Sequence, residues 1–316
     1  MRVLAVLALT AASVATAAAL MPASAASSRL VPPVTPRGTV ATLIRYRSHN
    51  GTLRPAWLLL PAGYHGQRIP LVISPHGRGV DAARNAELWG DLPGEGGFAV
   101  INPAGEGRRL QLYSWGDPGQ IDDLARMPAI VRAHGVNVDP RRIYAFGGSM
   151  GGQETLLLVA RFPHLLRGAA AFDPATDMSR RYRDFASLKG GGELRELARA
   201  EIGGTPRTDP RAYALRSPDH YVEQIALSGV PLQLYWSRTD RIITDQRLET
   251  GALADEIRSL NPRARLWDFE GNWVHTAEMR PERRLPRALA RFGLLPWSKV
   301  PRLRGREVTR GPGLLA

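Results

Sequence analysis

The stretch Arg142-Ile143-Tyr144-Ala145-Phe146-Gly147-Gly148-Ser149-Met150-Gly151-Gly152 decides the fold. Its first five residues include β-branched Ile143 and aromatic Tyr144 and Phe146, the composition of a buried strand. Residues 153–162 follow at once with a helical pattern, so a serine stands in a glycine-rich turn between a strand and a helix. Such a turn holds the serine backbone in a strained conformation. Side chains larger than hydrogen at the flanking positions would strike the adjacent strand and helix. The arrangement also sets the N–H of Met150 at a helix N-terminus, where it can donate to a developing oxyanion.

Working outward, short β-type runs alternate with helical patterns at residues 40–46, 56–60, 70–74, 99–102, 142–146, 168–172, 231–236 and 265–269. Alternation of this kind predicts an α/β domain with a mostly parallel, eight-stranded sheet flanked by helices. Leu285, Ala288, Leu289 and Phe292 fall on one helical face, as do Leu194, Leu197 and Ala198. Ser217-Pro218 reads as a capped start for a helix over 218–227. Pro128 is expected to kink or delay the helix over 121–134.

A serine alkoxide needs a base. In a strand–turn–helix serine site of this type the order along the chain is Ser, acid, His. Of seven histidines only His275 lies beyond the loop that leaves strand 231–236, and that loop holds Asp240. His275 is therefore the expected base and Asp240 its orienting acid, with Asp173, Asp177, Asp268 and Glu270 as competitors for the acid. His76 precedes Ser149 and is expected to shape the loop Ser74-Pro75-His76-Gly77-Arg78-Gly79. That loop offers a second oxyanion donor, the N–H of Arg78 with Gly77 as the alternative. Trp115 and Trp273 are weaker candidates for the substrate pocket. Asp122 and Asp123 suit the first turn of a helix, and no residue set calls for a metal or another cofactor.

The chain has 316 residues, 44% apolar and 22% charged, without cysteine. This excludes disulfides, thiolate metal sites and a cysteine nucleophile. With 42 Lys+Arg against 29 Asp+Glu the formal charge is +13, nearly all of it arginine. The arginines are scattered, except in 299–306, and are not interleaved with stacking aromatics, so nucleic acid is not an expected partner. Residues 1–25 read as a signal peptide: Arg2, an Ala/Leu/Val run over 3–20, and the small-x-small site Ala23-Ser24-Ala25. An uncleaved membrane anchor is the rival reading, and Thr10, Ser13 and Thr16 weigh against it. The expected organisation is signal peptide 1–25, exposed lead-in 26–39, catalytic domain 40–296 with a cap-like insertion at 178–225, and a flexible basic tail 297–316. An exported or cell-wall-associated protein without stable membrane insertion is expected.

The chain resembles the α/β-hydrolase superfamily and, within it, the catalytic domain of the prolyl oligopeptidase family and related secreted esterases. The matching stretches run from Val138-Asp139-Pro140 through Gly152, from Gly203-Gly204-Thr205-Pro206 through Ser217-Pro218, and from Val230-Pro231 to Asp240. The resemblance implies a triad of Ser149, Asp240 and His275 and a small ester or peptide as substrate. Peptidases of the family carry an N-terminal β-propeller that gates peptides, and only about 40 residues precede the first strand here. The 74–79 loop also differs from their His-Gly-Gly-Pro type. Both features favour carboxylic esters over peptides; amides, and a non-catalytic binding protein on the same fold, are the alternatives.

Overall fold

A computed structural model describes residues 32–35, 37–303 and 308–312. Residues 1–25, expected to be a signal peptide, and half of the expected lead-in 26–39 lie outside the described residues. The chain forms one nine-stranded sheet in the order β1-β2-β4-β3-β5-β6-β7-β8-β9. Its strands are β1 (Thr39–Arg47), β2 (Leu53–Pro61), β3 (Ile69–Ile73), β4 (Ala99–Pro103), β5 (Val138–Gly148), β6 (Gly168–Phe172), β7 (Leu232–Ser237), β8 (Leu266–Gly271) and β9 (Val308–Arg310). Strands β3 to β8 are mutually parallel, whereas β1 and β2 at one edge and β9 at the other run antiparallel to their neighbours.

The central strands β3, β4, β6 and β7 are buried along their whole length, as a sheet covered on both faces requires. The helices are α1 (Ala82–Glu87), α2 (Leu92–Gly96), α3 (Pro118–Ala133), α4 (Met150–Arg161), α5 (Met178–Asp184), α6 (Gly191–Ile202), α7 (Pro210–Ala214), α8 (Val222–Leu227), α9 (Ala252–Leu260) and α10 (Leu285–Arg291). One apolar cluster packs α3, α4, α8 and α9 on one sheet face, and a second packs α1 and α10 on the other. The second holds a ladder of stacked rings, Phe172 on Tyr235 at 4.4 Å and Tyr235 on Phe269 at 4.3 Å, crossing β6, β7 and β8.

The structure departs from the sequence reading in four places. A ninth strand, β9, pairs with β8 within the segment expected to be a flexible tail, since Val308–Arg310 satisfies the open edge of β8. Helix α3 runs through Pro128, because Leu124, Met127, Pro128 and Val131 are all buried against the sheet and offset the missing N–H. Residues 218–227 split into a 3₁₀ turn and α8, and Ser217 does not cap them. Its Oγ instead accepts from the N–H of Met178 and donates to the carbonyl of Tyr213.

The fourth concerns the insertion 178–225, expected to be cap-like. It is strapped to the body: the Glu201 carboxylate accepts the N–H groups of Arg108, Arg109 and Leu110, and Arg216 pairs with Asp117 at 2.7 Å. Gly191 is buried so tightly that a Cβ there would lie 1.5 Å from the Phe185 carbonyl.

Candidate active site

Ser149 sits between β5 and α4 with φ 58° and ψ −123°, a conformation L-residues adopt only under constraint. Its N–H donates to the Phe172 carbonyl of β6 at 2.8 Å, which holds the turn against the sheet. A Cβ on Gly147 would lie 2.2 Å from the Gly151 carbonyl oxygen, and one on Gly151 would lie 2.2 Å from that of Pro75. Glycine at both positions therefore follows from the close approach of backbone to backbone. Met150 opens α4, so its N–H is among those without a partner inside the helix.

His275 lies in the loop after β8 and Asp240 in the loop after β7. The ring Nδ1 of His275 is 2.6 Å from Asp240 Oδ2, while Asp240 Oδ1 accepts the N–H groups of Ile242 and Ile243 at 2.8 and 3.1 Å. Burial alone would raise the Asp240 pKa; the hydrogen bond and charge of His275, with those two N–H donors, outweigh it and hold the carboxyl below its ordinary value. The other ring nitrogen, His275 Nε2, is buried without a hydrogen-bond partner.

Of the competing acids, Asp173 comes nearest. It is fully buried, but its oxygens accept the N–H groups of Ser237, Trp273 Nε1 and Thr276 at 2.8–3.2 Å. Asp173 thus anchors the His275 loop from below, whereas Asp240 touches the imidazole. Asp177 caps α5, Asp268 accepts from Trp236 Nε1, and Glu270 pairs with Arg238. Oxygens of Asp173 and Asp240 and a nitrogen of His275 fall within 4.8 Å of one another. Both carboxylates are already taken up by N–H donors, which suits an oriented histidine better than an open metal cage.

A cavity of about 290 Å³ opens beside the serine. Ser149, Gly148, His275 and Thr276 form one side and Gly77, Arg78 and Val80 another, closed by Asn85, Leu88, Ile242, Met279 and Arg280. Gly77 lies against the serine, since a Cβ there would be 3.9 Å from Ser149 Cβ. His76 is buried, its ring nitrogens 2.9 and 3.0 Å from the carbonyls of Gly77 and Ala104, and burial lowers its pKa. It shapes the loop and does not line the cavity.

The two tryptophans do not line it either, and the insertion contributes none of its walls. Trp273 turns inward to donate to Asp173, with the Arg284 guanidinium 4.9 Å over its ring. Trp115 packs between Tyr113 and Phe185, beneath Met150. An indole with a buried N–H partner or aromatic neighbours fills core, and sequence position alone does not reveal that. The wall residues Leu88, Ile242, Met279 and Arg280 were not foreseen, because nothing in their local sequence marks them.

Residues 97–248 match the model of the prolyl oligopeptidase family. No curated protein is significantly similar to the chain in sequence. Among solved structures, a fungal esterase from Rhizomucor miehei superimposes with TM-score 0.62 at 14% identity, covering 83% of this chain and 84% of its own. A puromycin-hydrolyzing peptidase of Mycobacterium tuberculosis gives 0.57 at 20% identity, over 75% of this chain but only 35% of the peptidase. Pyrococcus horikoshii acylaminoacyl peptidase gives 0.55 at 14% identity, over 76% of this chain and 37% of its own. The chain thus spans about a third of these peptidases and most of the esterase. At these identities the likeness is one of fold. Among the described residues no helix is long and apolar enough to cross a membrane.

Proposed function

Because the chain carries an α/β-hydrolase domain of the prolyl oligopeptidase family, a family of serine hydrolases, we propose that Ser149 is its nucleophile and carboxylic esters its substrates. The observation that carries this reading is His275: Nδ1 is held by Asp240 at 2.6 Å and Nε2 is left unpartnered at the cavity that Ser149 lines. Asp240 fixes the tautomer in which Nε2 carries the lone pair, so the ring can take the Ser149 proton as Oγ attacks the ester carbonyl. The N–H groups of Met150 and Arg78 receive the oxyanion of the tetrahedral intermediate. His275 then protonates the departing alcohol, and the acyl-enzyme is released by water activated at the same nitrogen.

Ester over peptide is supported by a cavity of only about 290 Å³ with walls rich in apolar side chains. The proposed site of action is outside the cell, on the strength of residues 1–25. Fluorophosphonate labelling of the wild type, lost in Ser149→Ala, tests the nucleophile. For matched ester and amide pairs kcat/KM should favour the ester by at least ~10²-fold, about 2.7 kcal/mol in barrier. Equal values, or faster cleavage after proline, would return the protein to the peptidases.

A further inference from the structure

Arginines buried elsewhere in the chain are neutralised. Arg54 pairs with Glu106 at 3.1 Å, Arg216 with Asp117 at 2.7 Å and Arg284 with Glu278 at 2.5 Å. That is the expected pattern, since a guanidinium withdrawn from water without an anion is costly.

The cavity beside Ser149 presents two further arginines, the half-buried Arg78 and the exposed Arg280. Arg78 and Arg280 line the cavity and are its only arginines or lysines; no aspartate or glutamate shares its wall. Neither side chain makes a hydrogen bond or ion pair among the described residues. Within electrostatic reach of Arg78, Arg181 on α5 is 3% exposed and stacks its guanidinium over Phe185 at 4.8 Å. Its terminal nitrogen NH1 is buried without a hydrogen-bond partner. Burial first, and then the charge of Arg78, lower the Arg181 pKa to about 10, with the carboxylates of Glu249, Asp184 and Asp240 opposing the shift in part. The remaining wall, Val80, Leu88, Ile242 and Met279, is apolar and suits a short methylene chain.

We propose that this cavity selects an ester whose acyl chain ends in a carboxylate, with Arg78 and Arg280 binding that carboxylate and Arg181 adding to the positive field. The inference rests on the serine-hydrolase reading for where the ester carbonyl sits, and it narrows the substrate class of that same site. A carboxylate received by a guanidinium fork gains charge-assisted hydrogen bonds that a methyl group cannot make. The asymmetry should therefore be large and sensitive to ionic strength.

The test compares mono-4-nitrophenyl adipate with 4-nitrophenyl hexanoate, chains of equal length ending in carboxylate or methyl. The adipate should be hydrolysed with a kcat/KM at least ~10-fold higher, a ratio falling towards one in Arg280→Met and in Arg78→Met and shrinking in high salt. Binding to Ser149→Ala gives a readout free of catalysis: monomethyl adipate should bind at least ~10-fold more tightly than methyl hexanoate by calorimetry. A ratio at or below one in both measurements, or one indifferent to both arginine substitutions, overturns the proposal. If the binding preference holds while neither ester is turned over and fluorophosphonate does not label the protein, the anion subsite stands and the serine-hydrolase reading falls.

Discussion

The Nδ1 of His275 lies 2.6 Å from Oδ2 of Asp240, whereas Asp173, equally buried beneath the same loop, spends its oxygens on N–H donors of the backbone and of Trp273. Two carboxylates in one loop base thus have separable duties. Asp240→Asn should lower kcat by ~10⁴, the loss expected when the imidazole is held in the wrong tautomer, with little change in melting temperature. Asp173→Asn should behave oppositely, destabilising by about 2 kcal/mol because one amide group cannot accept three N–H donors. Kinetics alongside thermal unfolding of both variants decides it; a greater loss of kcat in a well-folded Asp173→Asn would move the acid to the loop after β6.

Ser149 carries backbone strain as well as its hydroxyl, with φ at 58°. Conformations of this kind cost about 1–3 kcal/mol in a residue with a Cβ. Ser149→Ala should remove labelling and turnover yet keep the strain, leaving stability within ~0.5 kcal/mol of wild type. Ser149→Gly should be equally inactive but more stable than Ser149→Ala by about 1 kcal/mol, as glycine enters this region freely. Urea unfolding of the three proteins side by side measures the difference. Equal stability of the alanine and glycine variants would show that the turn stores no strain.

Two glycines of the turn differ sharply from Gly192 of the insertion. Gly147→Ala and Gly151→Ala each drive a Cβ to 2.2 Å from a backbone carbonyl oxygen, and neither strand nor helix can retreat. Each should cost more than ~3 kcal/mol or prevent folding, as overpacking against backbone does. Gly192, in the first turn of α6, has nothing within 4 Å of an added Cβ. Gly192→Ala should instead stabilise by about 0.5–1 kcal/mol, by limiting the unfolded chain. Soluble yield and denaturant midpoints of the three variants check the contrast.

The readable parts of the fold were those whose reason is local. All eight foreseen strands are present; those of the sheet interior are buried apolar runs, whereas β1 at the edge alternates buried and more exposed residues. The ninth, Val308–Arg310, is created by the free edge of β8 and has no apolar run of its own. The serine turn was legible because its glycines stand between a strand run and a helical run in consecutive sequence, although the carbonyl that confines Gly151 comes from Pro75, far along the chain. Chain order singled out Asp240 and His275, but the 2.6 Å contact between them needs two loops thirty-five residues apart. The cavity wall was not legible: Leu88 follows α1, Ile242 lies in the loop after β7 and Met279-Arg280 in the loop after β8, and only tertiary packing brings these three segments together. The same packing turned Trp115 and Trp273 inward.

Glu154 is one of three carboxyls, with Asp173 and Asp219, that burial pushes up to about 7 and whose ionisation should register in stability. It is fully buried on α4, five residues after Ser149, where Ser114 Oγ donates to one carboxylate oxygen and the other has no partner. Burial raises its pKa from 4.5 to about 7, with the hydrogen bond from Ser114 opposing the shift only in part. The folded state therefore binds a proton more tightly than the unfolded chain does. The associated stability is fully present below the unfolded value near 4.5 and is lost as pH rises through the folded value near 7. At ~1.4 kcal/mol per unit, the loss between those limits is on the order of 3 kcal/mol. Glu154→Gln keeps the shape and the acceptor for Ser114 but cannot ionise. It should abolish this share of the decline and make the variant more stable than wild type at pH 8, though not at pH 5. Urea midpoints of both proteins across that range measure the slope; parallel curves would mean that Glu154 stays ionised in the folded protein and that the unpartnered oxygen finds water.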